Sequence, residues 1–306
     1  MFRQAVRSPK KPALQIVPLL LALTAWSAAG ASHAGAAPAK KTVVKAASAV
    51  NSNLALLPAV PGMVDLAYAD VSNKGDVIGT YYDASYQAYN FWYSGGAYTR
   101  LNIAPAGIND NDVIVGTTYD SQLHVQSYIL SNGVYSQVTI PGAVDTYVNG
   151  IDNQGRLVGV ALDSDENGTG FLYSNTGVYT PINVPGASFT IPNHINNAGD
   201  IVGTYYDATG LVHSFVYSAG TYTTLPDIPG AVAVYPSDIN IHGEVVGYLY
   251  ASDFSLHSFS YTSAGYSSLD VPGAAVTVVY GSNDHGQIVG TYYDSSNKPY
   301  TFVLSR

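Results

Sequence analysis

From about residue 54 to the C-terminus, short runs of Val, Ile, Tyr, Phe and Thr alternate with polar residues, and Asn/Gly or Pro/Gly pairs separate the runs. A period of two marks a half-buried strand, and such pairs supply the positive φ that tight turns need. The clearest unit begins at Pro185-Gly186-Ala187, a turn. Residues 188–195 read as a first strand, 196–199 as a turn, and 200–206 as a second strand with Gly203 inside it. A polar loop over 207–212 leads to a third strand, His213-Ser214-Phe215-Val216-Tyr217. Ser218-Ala219-Gly220 then turn the chain into a fourth strand over 221–228.

This unit recurs. Gly-Thr-Tyr-Tyr-Asp stands at 79–83, 203–207 and 290–294, with weaker copies starting at Gly116, Gly159 and Gly247. The six glycines are 37, 43, 44, 44 and 43 residues apart. A period near 43 with four strands per unit predicts an all-β fold, a six-bladed β-propeller of four-stranded antiparallel blades. A glycine fixed inside a strand marks a close backbone approach, expected here where neighbouring blades pack.

The last repeat stops at its third strand, Tyr300 to Leu304. Leu57-Pro58-Ala59-Val60 matches the fourth-strand ending Leu225-Pro226-Asp227-Ile228. The N-terminal segment is therefore expected to complete the last blade and close the ring. An open β-solenoid is the alternative, and it would need capping units that the sequence does not display.

The recurring Pro-Gly-Ala…Ile-Asn-x-x-Gly-x-Ile-Val-Gly-x-Tyr-x-Asp…His-x-Phe-x-Tyr pattern, over about residues 56–306, resembles the HAF-type extracellular repeats of bacteria. Their His-Ala-Phe step corresponds to His213-Ser214-Phe215 and His257-Ser258-Phe259, with Ser for Ala; Tyr89, Gln126, Thr169 and Tyr300 replace the His elsewhere. The resemblance implies an exported β-repeat protein and supplies no catalytic residue set.

Export agrees with the N-terminus. Arg3, Arg7, Lys10 and Lys11 precede an apolar stretch over 14–26, too short to span a bilayer, and Ser32-His33-Ala34 suits cleavage. Residues 1–34 thus read as a signal peptide, 35–53 as a flexible linker and 54–306 as the propeller, secreted to the extracellular space or periplasm. Removing residues 1–34 leaves 8 basic against 21 acidic residues. That balance argues against nucleic acid and anionic membrane surfaces as partners, and membrane insertion is not expected. With no cysteine, neither disulfides nor thiolate–metal sites contribute. Charged residues make up only 11% of the chain against about 25% in typical domains, and 26 tyrosines with many Ser, Thr and Asn take their place. A closed ring of this kind is expected to be a monomer.

Several positions could carry chemistry. Asp83, Asp120, Asp163, Asp207 and Asp294 share one place at the end of the second strand, with Ala251 the exception. They form either a cation-binding mouth or a set of side chains closing their own turns. Asp163, Asp165 and Asn167, followed by Gly168, have the spacing of half a calcium loop, making calcium the one candidate cofactor; a polar hairpin is the alternative. His194 stands where Asp70 and Asp238 stand in other repeats, and Gly107, Gly150 and Gly281 fill the remaining three. Such residues could form an acid–base group at the channel or a buried network between blades. The second repeat is shortened, with 11 residues from Pro105 to Gly116 instead of 18. This break in symmetry is either a notch for a ligand or a harmless deletion.

Strand order places the Asp loops and Pro-Gly-Ala turns on one side and the Asn-x-Gly turns on the other. Tyr82, Asp83, Tyr206, Asp207, His213, His257, Tyr293 and Asp294 are therefore expected to gather towards one mouth as a ligand-binding set. No nucleophile elbow, zinc-protease motif, phosphate loop or dinucleotide fingerprint is present. Binding of carbohydrate or a surface partner is the leading function. A polysaccharide hydrolase or lyase and a structural surface protein are the alternatives.

Overall fold

The computed structural model describes residues 53–306, apart from 59 and 61. The expected signal peptide and, but for its last residue, the linker lie outside the described residues. Twenty-four strands form six antiparallel sheets of four, the blades of a propeller. The blades span residues 63–101, 104–138, 145–181, 189–224 and 231–268, and the sixth joins 276–305 to Leu54–Leu56. That short strand pairs antiparallel with Pro299–Ser305, Leu54 opposite Leu304 and Leu56 opposite Phe302. Leu57 then donates its N–H to Thr301 O, as Leu225 does to Ser214 O, so the two segments are equivalent as expected.

Two adjacent apolar residues precede each repeat glycine, such as Val77-Ile78 and Ile201-Val202, and all are buried. A strand exposed on one face would alternate, whereas one covered on both faces carries a continuous apolar run. Here the pair faces opposite ways. Ile201 packs with Val158 of the preceding blade, and Val202 with Val245 of the following one. The core is accordingly six apolar clusters, each spanning a pair of neighbouring blades. The His-x-Phe step supplies the wedge: Phe171, Phe215 and Phe302 are among the most buried side chains. The Ser beside the wedge couples blades, since Ser127, Ser214 and Ser258 donate from Oγ to Thr146, Val234 and Thr277 O of the next inner strand.

The repeat glycine works differently from the expectation. A Cβ at Gly159 would lie 1.9 Å from Tyr147 O, and one at Gly203 would lie 2.2 Å from Ile191 O. Both carbonyls belong to the inner strand of the same blade. The close approach is within each blade, not between blades, because the inner strand bulges there (Val148/Gly150 and Pro192/His194) and pushes its backbone onto the second strand.

Candidate functional site

The two ends of the channel differ in chemistry. On the Asp-loop side, each aspartate of the predicted set serves its own turn. Asp83 Oδ1 accepts the Ser85 and Gln87 N–H groups at 2.8 and 3.0 Å, and Oδ2 accepts the Tyr89 hydroxyl at 3.1 Å. Asp207 accepts from Thr209 and Leu211 and faces His213 Nε2 at 3.1 Å. Asp294 accepts from Ser296, Lys298 and Tyr300. The Thr209 hydroxyl, then His213, hold the Asp207 carboxyl well below its usual range. Where Ala251 replaces Asp, His257 turns instead to Asp270 (Nδ1–Oδ2, 2.8 Å) and Ser255. These Asp and His side chains therefore bond within their own blades and do not converge on one another.

The Asp163 loop has the same turn. Asp163 Oδ1 accepts the Asp165 and Asn167 N–H groups at 2.8 and 3.0 Å, and Asn167 Nδ2 reaches both carboxylate oxygens. The Asp-x-Asp-x-Asn spacing is thus accounted for by a turn that the other loops also make.

The tyrosines of the set do come together with others. Tyr293 donates to Asp65 Oδ1 across the seam between the sixth and first blades, and burial, then the Asp65 charge, pushes the Tyr82 hydroxyl up. Tyr235 stacks on Tyr248 with centroids 5.4 Å apart and meets Tyr250 edge-on at 6.1 Å. Burial and the neighbouring Tyr206 and Tyr250 push Tyr235 up to about 12. Burial, then the Asp65 charge, pushes the Tyr280 hydroxyl up, and burial, then Tyr280 and Asp65, does the same to Tyr293. An arc of tyrosines and Asp65 therefore runs through the fourth, fifth, sixth and first blades.

The shortened second blade interrupts this mouth. Its inner strand, Ala104–Ile108, pairs with the second strand only as far as Ala104 opposite Thr117. In the third, fourth and sixth blades the carbonyls of Leu162, Tyr206 and Tyr293 accept from the N–H groups of Val144, Ser188 and Ala275 on the entry to the inner strand. Tyr119 is their equivalent, and the seven missing residues deprive its carbonyl of that partner. Tyr119 is 60% exposed, and it adds to the burial and the Asp145 charge that push the Tyr147 hydroxyl of the third blade up to about 12. Asp65, Tyr119, Tyr147 and Tyr235 were not in the predicted set; the shortened repeat was the signal for Tyr119, and strand position alone did not mark the others.

Comparison with solved structures places the fold among β-propellers. A protein described as TolB from Agrobacterium tumefaciens aligns with a TM-score of 0.54 at 12% identity, over 79% of this chain and 91% of that one. The β-propeller domain of the Trilobed protease from Pyrococcus furiosus, reported to have an open velcro topology, gives 0.53 at 9% identity over 80% and 94%. AofleA from Arthrobotrys oligospora gives 0.52 at 10% over 82% and 85%. Sequence comparison finds no matching family model and no curated relative. At such identities the likeness concerns architecture alone.

The opposite mouth is built from the second residue of each four-residue turn between the first and second strands, 72–75, 109–112, 152–155, 196–199, 240–243 and 283–286. The backbone N–H of Asp284 donates to Asn73 Oδ1, Asn73 to Asp110, Asp110 to Asn153 and Asn153 to Asn197, at 2.7–2.8 Å. Ile241 N–H closes onto Asp284, but Ile241 has no acceptor to offer Asn197. Above this ring, Asp70, His194 and Asp238 meet across the channel. His194 Nδ1 lies 2.5 Å from Asp238 Oδ1, and Nε2 lies 3.6 Å from Asp70 Oδ2. Burial opposes charge on the imidazole, yet Asp238 and Asp70 raise its pKa well above the ordinary value. Asp70 and His194, with the Asn and Asp residues of the ring, line a cavity of about 40 Å³.

Proposed function

We propose that this protein is an exported binding propeller that takes a saccharide at the tyrosine-lined mouth, with the second-blade notch as the primary subsite. The observation that carries this reading is the Tyr119 carbonyl, left without its strand partner beside the exposed Tyr119 ring and Tyr147. Aromatic faces stack on the apolar faces of sugar rings, and a backbone acceptor that lies beyond the end of its strand pairing suits a sugar hydroxyl. An uncharged polyol also fits a surface of low charge and abundant hydroxyls. Secretion, suggested by the N-terminal segment and the resemblance to HAF-type repeats, would bring such a site to surface polysaccharides. Hydrolase or lyase chemistry would need a carboxylate or His/Tyr pair facing the substrate, and the loop carboxylates predicted for that mouth are engaged by their own turns. A glycan array, run beside a reducing-end assay on the same polysaccharides, tests the reading. It predicts selective retention without new reducing ends, with retention lost in Tyr119→Ala; release of reducing ends would favour the enzyme.

A further inference from the structure

We propose that Asp70, His194 and Asp238 form a divalent-cation site suited to zinc, joining the first, fourth and fifth blades across the channel. Each side chain offers one ligand atom, and these atoms all lie within 4.8 Å of one another. They occupy one equivalent position on three inner strands, opposite Ile78, Val202 and Val246. The other three blades place glycine there, and the space is used. A Cβ at Gly281 would lie 2.7 Å from Asp70 Oδ1, and one at Gly150 would lie 3.0 Å from His194 Cδ2.

The carboxylates are oriented as metal ligands are. Asp70 accepts the N–H groups of Val71 and of Ile108 on the next blade; Asp238 accepts those of Ile239 and of Ser282 on the next blade. Asp70 Oδ2 and Asp238 Oδ1, the oxygens that face His194, each accept one such bond and keep a second lone pair, whereas Asp238 Oδ2 also accepts the Ser282 hydroxyl; outer donors of this kind fix ligand geometry. Neither nitrogen of His194 has a well-aligned hydrogen-bond partner, although both are shielded from solvent. The 3.6 Å from Nε2 to Asp70 Oδ2 is long for a hydrogen bond. It is close to the roughly 3.4 Å edge of a tetrahedron with bonds of about 2.1 Å. One imidazole offers a cation a single nitrogen, so a cation held by Nε2 and Asp70 draws Asp238 out of its 2.5 Å contact with Nδ1 to become the third ligand.

Charge points the same way. An imidazolium neutralises one of the two buried carboxylates, whereas a divalent ion with neutral imidazole neutralises both. No Lys or Arg lines the cavity, and its volume of about 40 Å³ admits a water as a further ligand. Nitrogen and oxygen donors at three points with one open position suit zinc. This site stands at the opposite end of the channel from the tyrosine mouth and does not depend on saccharide binding.

The test uses the full chain, stripped with a chelator and titrated with zinc chloride by calorimetry, with thermal unfolding in parallel. One zinc per chain and a raised Tm are expected. His194→Gln and Asp70→Asn should weaken uptake at least tenfold, and His242→Gln and His285→Gln, on the same face, should leave it unchanged. Because the first two variants could unfold, the unmodified chain is also loaded with cobalt(II), whose visible absorption should report tetrahedral coordination, and its His194 ring resonances should shift on adding zinc. Zinc uptake that leaves the His194 resonances in place, or no uptake by the folded chain, would overturn the proposal and leave an imidazolium held between two carboxylates.

Discussion

Leu54 lies opposite Leu304, so one end of the described chain supplies the outer strand of the blade formed by the other. The pairing joins the sixth blade to a segment that leads directly into the first. Deleting residues 54–57 removes a short ladder whose hydrogen bonds contribute about 1 kcal/mol each, roughly 3 kcal/mol in all. For a domain of this size that lowers Tm by about 6–12 °C. Deleting residues 35–50 should leave Tm unchanged. Equal Tm values for the two deletions, measured by circular dichroism, would contradict closure.

The strand glycines are sites where only a hydrogen fits. Gly159→Ala puts a methyl 1.9 Å from the Tyr147 carbonyl, in backbone that cannot swing aside. A loss of more than about 4 kcal/mol is expected, or failure to fold. Gly210→Ala meets nothing within 4 Å and suffers only from its φ of 86°, so about 1 kcal/mol is expected. Urea unfolding of both variants checks the ranking.

Acid should loosen the turns before the core. Bonds from the Gln87 N–H hold Asp83 low, the Thr209 hydroxyl and His213 hold Asp207 low, and the Ser296 hydroxyl holds Asp294 low. Burial pushes Asp110 up, but the Asn153 and Asn73 amides outweigh it and hold it low. Depressed folded pKa values give stability that is present above the unfolded pKa of about 3.9 and is lost as pH falls through the folded values. Tm should therefore fall progressively below about pH 4, and Asp110→Asn should flatten part of that slope. A Tm that holds level from pH 5 down to pH 2 would contradict these assignments.

The Asp163 loop poses a separate question. Its carboxylate already accepts from Asp165 and Asn167 as the other loop aspartates accept from their own turns. Millimolar calcium is therefore expected to leave Tm unchanged. A calcium-induced rise that Asp165→Ala abolishes would show that the loop exchanges these bonds for a cation.

The blades were legible because every one repeats the same local signals: turn pairs, alternation and a glycine inside the second strand after two apolar residues. The equivalence of His194 with Asp70 and Asp238 was legible for the same reason, since aligning the repeats exposes positions that differ. Their meeting across the channel was not, because it depends on the diameter of the closed ring and on glycine at 107, 150 and 281. The ring of Asn73, Asp110, Asn153, Asn197 and Asp284 is not legible in the sequence either. Each residue looks like a turn former, and only the contact between blades makes them one structure. Conversely, Asp83, Asp207 and His213 stood out as chemistry-bearing residues, and the fold occupies them locally.

Hydrogen exchange on the chain, with and without the oligosaccharide that the glycan array ranks highest, tests the central claim most directly. Slower exchange at residues 117–120 and 144–148, around Tyr119 and Tyr147, is the predicted result. Protection confined to the Asn-x-Gly turns at 109–112, 152–155 and 196–199 would place the ligand at the opposite mouth and contradict the account.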